Sequence, residues 1–270
     1  MIEVTIEHKG GIDTFSSLGL GLKRRDIPVL PETREYNQTI AGMDGEIDFG
    51  VEYGPRVIEH DCVLMADNPT TDYHAKLARI AQIFNARNGD IILTYSDLPD
   101  RRYIARYAGT MNIEKIIFDG NLSIPMKMYN PFPESLRDTA LKEYGQGLEY
   151  GQGYEYSAYS VLVTSSGQSF QIDNQGTTEA FPLVRFTGTC TNLSLSDGQQ
   201  TFTFGGVMAN AVLSVDCSLR KKTVKLNTLN AFSQSNGVFF VLKPGITNFT
   251  LTGINPNISI EFIFRHQYLY

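Results

Sequence analysis

From about residue 158 onward the chain consists of short runs in which apolar and polar residues alternate, separated at regular intervals by turn residues. The runs are Leu183–Phe186, Thr201–Phe204, Val212–Val215, Val238–Leu242, Asn248–Leu251 and Ile258–Phe264, with Asp197-Gly198, Gly205-Gly206 and Lys243-Pro244-Gly245 as punctuation. A period of two places alternate side chains on one face of a strand, and no stretch here carries the 3.6-residue period of a helix. The pattern predicts a sandwich of two antiparallel sheets. Sixteen Phe, 14 Tyr and 24 Gly fit strands and tight turns, and 270 residues suffice for two modest domains.

The first half mixes the two periods. Tyr73, Leu77, Ile80, Ala81 and Phe84 recur on one helical face, with Thr70 or Thr71 placed to cap its start and Gly89 to end it. Around it, residues 56–65, 90–95 and 102–107 read as strands. Two longer runs, Met111–Phe118 and Asn121–Tyr129, flank Asp119-Gly120, a pair suited to the type I′ turn of a hairpin. The fold class expected is thus mainly β with one helix, in a β-rich N-terminal domain with a long hairpin and a C-terminal sandwich. Between the halves, Glu143-Tyr-Gly-Gln-Gly147 is followed by Glu149-Tyr-Gly-Gln-Gly153, a tandem repeat that cannot build a core. The expected division is a domain over 1–133, a linker or arm over 134–157, and a second domain over 158–270.

Charge and motifs exclude several functions. A net charge of −6 gives no field to hold a polyphosphate, which argues against a specific nucleic-acid partner. The longest apolar runs are far short of a membrane span, and the first residues alternate like a strand instead of forming a signal segment. Cys62, Cys190 and Cys217 are an odd, widely spaced set, as expected of reduced buried thiols. His8, His60, His74 and His266 lie far apart without ligand spacing, and Asp44–Asp48 lacks the ligand series of a calcium loop. No phosphate loop, zinc-protease helix or nucleophile elbow is present, so no catalytic residue, cofactor or metal is expected. The basic runs Lys23–Arg25 and Arg220–Lys222 read as solvated loops, or as ion-pair partners across a protein interface.

Residues 43–50, 53–59 and 97–105, together with 174–182, 242–245 and 258–265, resemble in succession the phage distal tail protein family. The resemblance implies a virion structural protein of a long non-contractile tail infecting Gram-positive bacteria, assembled in the host cytoplasm. It implies a homohexameric ring at the baseplate or tail tip, built by the N-terminal domains, with galectin-like C-terminal sandwiches projecting outward. Such a hub joins the tail tube protein to a tail-associated, tail-fibre-like protein, around a channel for the tape measure protein and DNA. The alternative is a stand-alone protein that binds a cell-surface saccharide through its sandwich.

A ring needs two different adhesive patches on each subunit, because its interfaces are head-to-tail. The apolar face Leu122, Ile124, Met126 and Met128 of the 111–129 hairpin is one candidate, and the same alternation also suits ordinary sheet packing. Residues 1–133 hold 14 basic and 19 acidic side chains, an excess that would line a channel with charge repelling DNA.

Overall fold

The computed structural model describes residues 2–68, 70–116, 119–140 and 159–270. The repeat at 143–153 lies outside them. Two compact units divide the chain, one of residues 1–136 with 268–270 and one of 137–267.

The first unit contains β1 (Val4–His8), β2 (Gly11–Thr14), β3 (Leu20–Asp26), β4 (Thr33–Gln38), β5 (Ile47–Tyr53), β6 (Arg56–Leu64), α1 (Thr71–Ile83), β7 (Ile91–Tyr95), β8 (Leu98–Tyr107), β9 (Ile113–Ile116), β10 (Asp119–Met128) and β11 (Glu134–Ser135). Among the described residues nine strands form one antiparallel sheet in the order β2-β1-β7-β8-β10-β6-β3, with β9 beside β10 and β11 beside β8. β4 and β5 stand apart as a two-stranded ribbon. Helix α1 buries Tyr73, Ile80 and Ile83 among the sheet's apolar side chains, while Ala81, expected on that face, is exposed. Its start is held by Asn68, whose side-chain oxygen accepts from the Asp72 N–H at 3.0 Å, and not by a threonine. The helix closes at Phe84, and Gly89 ends a separate short 3-10 turn.

The 111–129 hairpin forms, but Asp119-Gly120 is not its turn. Asp119 pairs with Ile116 and Gly120 with Lys115, so both belong to β10, and residues 117–118 lie outside the described residues. Gly120 serves close approach: a Cβ there would lie 2.7 Å from Ile113 Cδ1 and 3.1 Å from the Tyr73 hydroxyl. A side chain at this position would have to displace the Ile113 and Tyr73 side chains.

The second unit contains β12 (Ser160–Val163), β13 (Gln168–Asn174), β14 (Leu183–Ser196), β15 (Thr201–Asp216), β16 (Thr223–Leu226), β17 (Leu229–Asn230) and β18 (Gly245–Ile263). They form one antiparallel hydrogen-bonded path, β12-β18-β14-β15-β16-β17, with β13 also on β18. Short strands expected from the sequence are joined here into long ones. Thr201–Phe204 and Val212–Val215 are both in β15, and Asn248–Leu251 and Ile258–Ile263 are both in β18. The strands bend instead of stopping, through register shifts near 188–194 and positive φ at Asn192, Asn210 and Asn255. Gly205-Gly206 therefore makes no turn; a Cβ on Gly206 would meet the Phe204 ring at 2.7 Å. Asp197-Gly198 does turn the chain, with the Asp197 N–H donating to the Gln200 carbonyl at 3.2 Å. Val238–Leu242 is not a strand and makes only one bridge, between Leu242 and Ala180. Phe240, Phe249 and Phe262 meet edge-on or tilted in this unit's core, with Phe170 stacked on Phe249 at its margin.

Candidate assembly surface

The four residues proposed from sequence as a subunit contact point inward. Leu122, Ile124, Met126 and Met128 are at most 4% exposed and pack in the core of the first unit. β10 is no edge: β6 pairs with it along 120–128, and β9 and β8 occupy its other side. Alternation here marks a buried face of an interior strand, and burial of these side chains stabilises the unit by about 1.5–3 kcal/mol each.

The unsatisfied apolar surface lies in the ribbon instead. On β5, Val51 and Tyr53 share one face with Glu52 on the other, and a register shift between Val51 and Asp48 interrupts the alternation around the exposed Phe49. Phe49 is 63% exposed and Val51 61%; Tyr53 touches the Phe132 ring edge-on at 6.0 Å. Tyr36, Ile40 and Met43 are exposed on the same excursion. An isolated two-stranded ribbon is at best marginally stable in water, and an uncovered apolar face on one is a contact surface. The ribbon also carries the charge anomaly of the first half. Residues 32–53 contain one basic and six acidic side chains, leaving the remainder of 1–133 balanced at 13 each.

The sequence's other candidates resolve into structural roles. Arg25 makes two 2.8 Å bonds to Asp97 and lies over the Tyr95 ring at 4.4 Å, holding the Asp97 carboxyl below its ordinary range. Arg24 pairs with Asp26 at 2.8 Å, and Lys23 donates to Asn121. The run 23–25 is thus part of β3 and is paired within its own unit. Lys221 lies 3.8 Å from Asp216, and Lys222 faces the Phe239 ring. Asp44 and Gly45 lie in the turn before β5. His8 meets Asp13 at 2.8 Å; His60 and His266 are buried in different units. Among the described residues no three His, Cys, Asp or Glu converge as a metal would require, and no helix is long and apolar enough to cross a membrane. All three cysteines are buried and free, and burial pushes the Cys62 and Cys217 thiols up to about 12.

Arg56 is a feature that sequence reasoning missed, because a strand arginine ordinarily points outward. It starts β6 on the inward face, 1% exposed, and donates to the Leu269 carbonyl, while its Nε and Nη1 find no hydrogen-bond partner among the described residues. Burial lowers its pKa. A buried cation so poorly matched costs free energy, so Arg56→Met should leave the unit as stable or raise its stability by about 1–2 kcal/mol in urea unfolding.

A family model described as the phage tail protein RIFT-related domain matches residues 14–128. A search of curated proteins finds no match. Among solved structures the chain is similar to the Dit protein of phage SPP1, described as a paradigm of the hub adsorption apparatus in phages infecting Gram-positive bacteria. Identity is 16%, coverage 98% of each chain and TM-score 0.74. It also resembles a chain of the phage p2 baseplate in its activated conformation, at 10% identity, 98% coverage of each and TM-score 0.47, too distant to carry an argument. Residues 14–128 therefore match the phage tail RIFT-related domain model, and the chain along its length shares the fold of the SPP1 Dit protein.

Proposed function

We propose that this protein is a virion structural hub at the tip of a long non-contractile phage tail. Six copies close a ring through their first units, around a channel wide enough for the tape measure protein and DNA. The ring joins the tail tube protein on one side to a tail-associated, fibre-like protein on the other. The observation that carries this reading is a match to a phage-tail domain model over a unit whose ribbon leaves Phe49 and Val51 exposed. The hub fold of the SPP1 relative along the full chain supports the same reading.

Purified protein should show six times the subunit mass and annular particles in negative stain. Val51→Asp, which places a carboxylate in the ribbon's apolar face, should reduce it to monomers with an unchanged melting profile, since Val51 supports no core of its own unit. A wild-type protein that stays monomeric at every concentration and in the presence of its tail neighbours would overturn the ring.

A further inference from the structure

An open apolar groove of about 570 Å³ runs between the second half of α1 and the β9–β10 hairpin, lined by Leu77, Ala81, Phe84, Tyr107, Met111 and Ile113. We propose that this groove receives the β4–β5 ribbon of a second copy of the chain, so that each subunit donates a ribbon on one side and accepts one on another. The proposal rests on the ring reading and names the two patches that a head-to-tail ring requires.

Three observations support this occupant. The ribbon offers the apolar side chains Phe49 and Val51, and its own unit leaves them exposed. The groove offers an apolar floor with Leu122 and Ile80 buried beneath it. Charge is complementary as well. The six carboxylates of residues 32–53 make no ion pairs among the described residues, whereas the segment 71–89 carries Lys76, Arg79 and Arg87 against Asp72 alone. Lys76 is paired with Asp72 and Arg79 with Asp13, which leaves Arg87, on the groove's rim, with no ion pair among the described residues. An acidic ribbon drawn to a basic rim also fixes the direction of docking, because a ribbon facing a ribbon would meet its own charge.

Cysteine cross-linking tests the seat directly, because Cys62, Cys190 and Cys217 are buried and give little background. Phe49→Cys and Ala81→Cys change exposed positions, and near-wild-type melting curves establish that the variants fold. With both changes in one chain, mild oxidation should yield a covalent ladder up to the hexamer. An equal mixture of the two single variants should stop at dimers, and either alone should give none above background. The Ala81→Cys thiol should be alkylated at least tenfold more slowly in the ring than in Val51→Asp monomers. Rings of the correct mass that give no ladder, or whose Ala81→Cys thiol reacts at the monomer rate, overturn the ribbon seat and leave the ring reading standing. Absence of rings and ladder together overturns both.

Discussion

Replacing Gly188 with alanine is expected to unfold the second unit under conditions where the wild type is stable, by lowering its stability by about 3–5 kcal/mol. Gly188 has φ +137° in the middle of β14, with β15 on one side through Ala211 and β18 on the other through Ile258. A Cβ there would stand 2.2 Å from the Asn257 carbonyl oxygen and 3.1 Å from Ile258 Cα. Both obstacles are backbone of a paired strand, so relief requires the β14–β18 ladder to open where it bends. A loss of this size is a large fraction of the 5–15 kcal/mol that holds a typical domain together. Gly198→Ala is the matched control. Its φ is +86°, yet nothing lies within 4 Å of the added atom, and it should cost only about 1–2 kcal/mol of backbone strain. Urea unfolding followed by methyl NMR signals of the second unit separates the two variants. Equal midpoints would show that the strand yields where the geometry says it cannot.

The same position explains much of what the sequence did and did not disclose. Alternation located β6 to β10 and stretches of β14, β15 and β18, because a half-buried strand must alternate whatever its length, but it passed over β2 to β4, β12, β13 and β16. It could not say where strands end. Gly205-Gly206 and Asp119-Gly120 carry turn chemistry but serve close packing against Phe204 and Ile113, a tertiary requirement with no local signature. Bends at Asn192, Asn210 and Asn255 likewise look like breaks when read locally. Of the two readings open for Leu122, Ile124, Met126 and Met128, their burial matches ordinary sheet packing. The apolar residues of β10 and those of β5 are written in the same code, and only the partners on either side distinguish an interior strand from a bare ribbon. A signal was available in the charge: six acids against one base in 22 residues is unusual beside a balanced remainder, and it marks the ribbon.

Acid should destabilise the first unit from about pH 6.5 downward, and His60 is the cause. The ring sits on the inward face of β6, between Phe15 and Tyr95, with Nδ1 3.2 Å from the Ile124 carbonyl and Nε2 2.7 Å from the Tyr95 hydroxyl. A carbonyl only accepts, so Nδ1–H donates to it and Nε2 accepts the tyrosine proton, which is the neutral imidazole. Burial above all, aided by the Arg25 charge and opposed by the Ile124 bond and Asp61, lowers its pKa from 6.5 to about 4. The unfolded chain then binds a proton below about pH 6.5 that the native unit refuses until about pH 4, so stability falls as pH falls through that window. At 1.36 kcal/mol per unit the loss totals about 3 kcal/mol. Asp13 and Asp97, whose carboxyls hydrogen bonding holds below 3.8, keep their contributions throughout the window and lose them only at lower pH. His60→Gln should be the less stable protein at pH 7.5, having lost the fit to Tyr95, and its deficit should shrink by about 3 kcal/mol by pH 4.5. Because burial also lowers the His266 pKa in the second unit, the signals followed must belong to the first. Parallel stability curves for wild type and His60→Gln between pH 7.5 and 4.5 would mean that the native unit admits the proton, and that the His60–Tyr95 bond does not hold the imidazole neutral.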